Sequence, residues 1–177
     1  MTGKFLISNT NITDPNFFRT VVLMIEHDEY GAFGLVVNRK EELLLPEILD
    51  ISSKIAEKIH LYQGGPVRKD AMFILHSDAL AENAGQEIIQ GVYLGGSRDL
   101  LEYLMDKPFP YHVFHGYSGW GPGQLEEELS IGSWVVVPAT EEMIFHERPD
   151  LVWREALAYR GGIFAWFADK VRDPSLN

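Results

Sequence analysis

The chain has 177 residues, 46% hydrophobic and 12% aromatic, enough apolar surface for a substantial core and too much for a disordered polypeptide. Lys and Arg number 15 against 26 Asp and Glu, a formal charge of −11 that weighs against broad contact with a phosphate backbone, where each contact needs a cation. Cysteine is absent, which excludes disulfides, thiolate metal ligands and a cysteine nucleophile.

The opening MTGKFLISNT lacks the basic start and apolar stretch of an export signal, and WVVV at 134–137 falls far short of a bilayer span. A cytoplasmic protein without membrane contact is expected. In chain order, Thr20–Ile25 and Ala32–Val37 read as strands joined through the polar EHDEYG, a hairpin. Their apolar runs are continuous rather than alternating, so both faces should be covered, with helices as the cover. Pro46–Leu61 carries Ile48, Leu49, Ile51, Ile55 and Ile59 at helical spacing, and HLYQGGPV then marks a tight turn. Ala71–His76 and Ile88–Leu94 read as strands.

Ser97 is placed to cap a helix over RDLLEYLMD that breaks at Lys107–Pro108. Tyr111–Phe114 reads as a short strand and GYSGWGPG as a glycine-rich loop, followed by a helix within Pro122–Leu129. Trp134–Val137 is a further strand. Asp150 can cap LVWREALAYRGG, and IFAWFA closes the apolar part of the chain. Six or seven strands interleaved irregularly with about four helices indicate an α+β or mixed α/β single domain.

Several patterns bear on chemistry. Ser118 in GYSGW follows a strand as a nucleophile elbow would, but Trp120 stands where that motif needs glycine, so no catalytic serine is expected. His112 and His115 are three apart on a strand and point to opposite faces, which makes them poor co-ligands. HExxH and EF-hand patterns are absent; a metal site would have to be assembled from distant residues such as Glu26, His27 and His76. The expectation is no metal and no cofactor.

Neither Gly64-Gly65-Pro66 nor Gly95-Gly96-Ser97 has the spacing of a phosphate loop, although Ser97 and Arg98 could help hold an anion at a helix start if they do not simply cap it. Glu126–Glu128 suits a solvated helix face. Asn38 and Arg39 at a strand end could grip a carboxylate or phosphate, or form a surface ion pair. Tyr117 and Trp120 offer flat amphipathic surfaces and Gln124 offers donor and acceptor atoms, which suits a shallow pocket or a structural plug equally.

DPNFFRTVVLMIEHDEYGAFGLVVNR (14–39), YQGGPV (62–67), FILHS (73–77), YLGGS (93–97) and GYSGWGPGQLEEEL (116–129) together resemble the AlgH/YqgE family of bacterial proteins. The resemblance implies one α+β domain over 1–177, a branched mixed β-sheet partly closed like a small barrel and surrounded by helices. It also implies a cytosolic protein of unestablished activity. Some members are labelled transcriptional regulators through an association with alginate production, and alanine is common in the family where this chain has Ser118.

Three functions compete. The first is a non-enzymatic binding or regulatory protein with a pocket built from Asn38, Arg39, Gly64, Gly65, Tyr117, Trp120 and Gln124, its partner a small molecule or protein. The second is a hydrolase with Glu26, His27 or His76 as acid–base groups, which requires a histidine and a carboxylate within hydrogen-bond reach in a concave site. The third, direct DNA binding, runs against the −11 charge. Self-association through WVVV or IFAWFA is compatible with the sequence.

Overall fold

The computed structural model describes residues 1–159 and 161, apart from 11, 13 and 52; IFAWFA lies outside the described residues. Ten strands form one branched sheet: β1 Lys4–Ser8, β2 Val21–Asp28, β3 Gly31–Val36, β4 Lys40–Leu44, β5 His60–Gln63, β6 Val67–His76, β7 Gln86–Ile89, β8 Val92–Gly95, β9 Tyr111–Trp120 and β10 Trp134–Pro138. Among the described residues four helices accompany it: α1 Arg98–Met105, α2 Gln124–Ser130, α3 Glu141–Ile144 and α4 Pro149–Tyr159.

The continuous apolar run of β2 is explained by burial on both sides. Val21, Leu23 and Ile25 enter the largest core with Phe5 and Ile7 of β1, while Val22 and Met24 enter a second core with Leu6. Helices supply much of the cover, as the sequence implies: α4 brings Val152, Trp153, Ala156 and Leu157 to the first core, and α2 brings Leu125 to the second. A third core, around Leu45, Leu61, Ile74, Leu100 and Val113, lies under α1. Among the described residues, no helix is long and apolar enough to cross a membrane.

The sheet runs β10-β1-β2-β3-β9-β6-β8-β7, with β4–β5 off the path. It is mixed, because β5 lies parallel to β9 (Leu61↔Val113, Gln63↔His115) whereas the other pairs are antiparallel. It branches on β9, which pairs with β5 at residues 113–115 and with β3 at residues 118–120. The sheet curls far enough for Ile88 and Val92 to share a core with Phe5 and Val137. It does not close: among the described residues no ladder joins the path ends β7 and β10, so the barrel-like closure is corrected to an open sheet.

The chemistry of the branch explains the glycines. Gly64 N–H donates to the His115 carbonyl at 2.9 Å, and the Gly64 carbonyl accepts from Val36 N–H at 2.8 Å. The end of β5 is thus wedged between β3 and β9. A Cβ on Gly64 would meet the Gly116 carbonyl oxygen at 2.3 Å, and Gly116 itself has φ +66°, which an L side chain rarely adopts.

Other expectations change on the same terms. GYSGW is strand rather than loop, because β9 continues to Trp120 to pair with β3. Among the described residues the proposed helix over 46–61 is absent: the segment must return the chain from Leu44 to His60, which pair across β4 and β5, and it does so with 3₁₀ turns at Leu45–Glu47 and Ala56–Lys58. Its apolar stripe is split, with Ile51 buried and Ile48 and Ile55 exposed. Ile88–Leu94 is a hairpin, β7 and β8, turning at Gly91 with φ +79°. Asp150 lies inside the first turn of α4, and Arg148 holds its carboxylate at 2.8 Å. Ser97 caps α1 as expected, its Oγ accepting from Leu100 N–H at 3.2 Å.

Candidate functional site

A hollow of about 450 Å³ opens where the β2–β3 hairpin meets the end of β9. Pairing places Glu26 opposite Phe33 and Phe33 opposite Gly119. Side chains alternate along a strand, so Glu26, Asp28, Phe33 and Tyr117 share one face. Gly31 and Gly119 in the wall contribute no side chain, which leaves the space open. Its floor is aromatic: Phe33 meets Tyr117 edge-on with centroids 5.1 Å apart, and Phe73 packs against Phe33 at 5.3 Å. Glu26, Asp28 and the 78% exposed Tyr30 form the rim, and no cation belongs to the lining.

A second hollow of about 410 Å³ is polar, lined by Asn38, Lys40, Glu41, Glu42, His60, Pro149 and Asp150. It shares Lys40 and His60 with a third hollow of about 220 Å³, lined also by Lys58, Ile59, Tyr62, Tyr111 and His112.

The residues expected to form one pocket are distributed among several roles. Tyr117 lines the aromatic hollow. Trp120 borders it, but its indole packs in the core on the opposite face, against Phe17 and Trp134, with Nε1–H donated to Glu128 at 2.9 Å. Gln124 accepts from Gly121 N–H at 3.1 Å and donates to Glu128 at 2.9 Å. Gly64 and Gly65 form the branch wedge. Asn38 borders the second hollow while its amide bridges Val21 N–H and the Arg19 carbonyl. Arg39 donates to the carbonyls of Pro15 and Phe18 and to Gln63, and burial lowers its pKa. Tyr117 and Trp120 are therefore the two brought together at a cavity, one by its ring and the other from behind it.

Ser118 is fully buried and donates to the Gly64 carbonyl at 3.2 Å, a structural hydroxyl. Arg98 pairs with Glu102 at 2.7 Å and reaches the Asp50 carbonyl, so Ser97 and Arg98 are both engaged within the fold.

The acid–base candidates do not converge. Glu26 faces the aromatic hollow, while His27 bonds Glu126 at 2.6 Å. The Glu126 carboxyl is held below its ordinary range by backbone and His27 hydrogen bonds. His76 is fully buried, bonded to the Ala84 carbonyl and to Asp78 N–H. His115 Nε2 meets Glu41 Oε2 at 2.6 Å, with Glu41 in the wall of the second hollow. His112 stacks on Tyr62 at 4.1 Å, and burial, reinforced by the Lys40 ammonium, pushes its imidazole down to about 4. Among the described residues no group of three His, Asp or Glu is placed to hold a metal ion.

Phe33, Asp28, Glu41, Lys58 and His60 are wall residues that the sequence reading passed over. The alternation of Glu26 and Asp28 on a strand prolonged past Ile25 was a usable signal for the first hollow. The walls of the others depend on the β4–β5–β9 pairing, which no local pattern carries.

A family model described as AlgH-like matches residues 5–165. A UPF0301 protein of Chlorobium limicola is 38% identical over 179 residues, covering 99% of this chain and 95% of its own. Another, from Thioalkalivibrio sulfidiphilus, is 40% identical over 166 residues, covering 90% and 89%. The solution structure of the AlgH protein from Pseudomonas aeruginosa superposes with TM-score 0.78 at 32% identity, over 97% of this chain and 94% of that one. A crystal structure from Corynebacterium diphtheriae, at 21% identity and TM-score 0.80 over 94% and 91%, shares the fold. The chain belongs to the AlgH-like family.

Proposed function

We propose that this protein works by binding a small organic cation in the hollow of Glu26, Asp28, Phe33 and Tyr117, and that any regulatory role passes through this ligand rather than through DNA. The carrying observation is the wall itself: aromatic rings below, two carboxylates at the rim and no cation in the lining. The negative face of a ring attracts a cation within about 6 Å of its centroid, and a carboxylate adds long-range attraction. Neutral ligands gain only the apolar part of that interaction. The −11 charge of the chain favours the same ligands and opposes a polyanion.

A thermal-shift screen against amines, quaternary ammonium compounds, carboxylates, nucleotides and short DNA duplexes tests this reading. A ligand selective for the native state stabilises by about 2.7 kcal/mol at a concentration of 100 Kd. Shifts from cationic compounds support the proposal; shifts from carboxylates or duplex DNA with none from any cationic compound sink it.

A second reading, hydrolysis by an acid–base pair, is favoured by one observation, the 2.6 Å contact of His115 with Glu41 beside the polar hollow. It requires turnover of an ester or amide substrate that His115→Gln abolishes in a folded variant. If turnover persists in that variant, the pair is structural.

A further inference from the structure

The third hollow runs against the electrostatic grain of the molecule. In a chain with 26 acids and 15 bases, its wall holds Lys40, Lys58, His60 and His112 and no carboxylate. Among the described residues neither Lys40 nor Lys58 forms an ion pair. No lysine among the described residues forms an ion pair, so what sets these two apart is that both border one small polar space.

Two phenols add donors to the same wall. Burial pushes the Tyr62 phenol up to about 12 and raises Tyr111, so both keep their protons at neutral pH. His112 Nδ1 is buried with no hydrogen-bond partner, an unusual state for a polar atom. The Lys40 ammonium reaches the same ring electrostatically.

The neighbouring polar hollow shares Lys40 and His60 and adds Asn38, Glu41, Glu42 and Asp150. Two of its carboxylates are already engaged, Glu41 by His115 at 2.6 Å and Asp150 by Arg148 at 2.8 Å. That space offers acceptors and an amide, the partners a hydroxyl-bearing group needs. Lys58 belongs to the smaller hollow alone, which assigns an anion to that end.

We infer that the joined hollows form a second ligand site, for a phosphate monoester of a small polyhydroxylated molecule. The phosphoryl group sits between Lys40 and Lys58, and the ligand's hydroxyls lie against Asn38 and Glu42; His60 Nδ1 is already engaged by the Glu41 carbonyl at 3.0 Å. A phosphoryl dianion matches two ammonium groups, and charge-assisted hydrogen bonds are the strong ones. The phosphoryl end, the smaller hollow, is distinct from the aromatic hollow in lining and in sign of charge.

Isothermal titration of the full chain with glucose 6-phosphate, glycerol 3-phosphate and inorganic phosphate tests the site. The esters are expected to bind, with inorganic phosphate roughly tenfold weaker because it leaves the second hollow empty. Lys40→Met and Lys58→Met should each weaken ester binding roughly tenfold, the loss of one hydrogen bond to a charged group, with melting temperatures near that of the parent. Both lysines are exposed, so these variants should fold. The assignment is overturned by no binding of either ester at millimolar concentration, or by ester binding that survives the folded double variant. Inorganic phosphate binding as tightly as the esters overturns it too.

Discussion

The Tyr117 ring stands perpendicular to Phe33, at an interplanar angle of 90° with centroids 5.1 Å apart, and the two come from strands that pair only because β9 runs on past Gly116. That contact makes a floor from residues 84 positions apart in sequence, Phe33 and Tyr117. Edge-on pairs of this kind add about 0.5–1.5 kcal/mol beyond area burial. Tyr117→Leu should therefore lose stability by about 1 kcal/mol and cation affinity roughly fivefold, the equivalent of about 1 kcal/mol of cation–π attraction. Urea denaturation and titration with choline measure the two losses separately.

Ser118 tests the nucleophile idea against the architectural one. Its Oγ donates to the Gly64 carbonyl, which also accepts from Val36 N–H, so Ser118→Ala leaves that acceptor satisfied. The expected loss in urea denaturation is about 1 kcal/mol, with ligand binding unchanged. Loss of an assayable activity at full stability would restore a catalytic Ser118.

Glu128 secures the far side of β9. Its Oε2 accepts from the indoles of Trp120 at 2.9 Å and Trp134 at 2.7 Å, both 5% exposed. Glu128→Ala strands two nearly buried donors, and the expected destabilisation is roughly 2–4 kcal/mol. Chemical denaturation gives the magnitude; near-UV circular dichroism should show altered tryptophan packing. A loss below about 0.5 kcal/mol, the scale of an ordinary surface change, would contradict this role.

His112 gives stability a defined pH dependence. The folded state lowers its pKa to about 4 from 6.5, through burial first and Lys40 second. Between those values the unfolded chain binds the proton and the folded chain does not. The contribution of neutral His112 is thus fully present above pH 6.5 and is lost as pH falls toward 4. Relative to His112→Phe, the parent should lose stability in that window with a slope of up to about 1.4 kcal/mol per pH unit. Parallel stability curves for the two proteins would refute the shift.

How much of this was legible in the sequence follows from the range of each signal. The β2–β3 hairpin, the Ser97 cap and the covered faces of β2 are local or nearly so, and their residue patterns express them directly. The expected helix over 46–61 failed because the apolar spacing over Ile48–Ile59 mimics a helix, while the pairing of Leu44 with His60 makes this segment the connection between β4 and β5. The glycines at 116 and 119 look like loop punctuation; their reason is the wedge of Gly64 and the opening beside Phe33, both nonlocal. Tyr117 was legible as a flat amphipathic ring, and it lines a hollow. Glu26 and Phe33 became its neighbours only through strand register.

The most direct test of the central claim is isothermal titration of choline into the full chain and into Glu26→Gln. Glu26 is exposed, so the substitution removes charge without removing core. The account predicts millimolar or tighter binding that weakens with added salt and falls several-fold in Glu26→Gln, as loss of a rim carboxylate requires. Choline binding that is unchanged in Glu26→Gln and in Tyr117→Leu, or no binding to the parent protein, would contradict it.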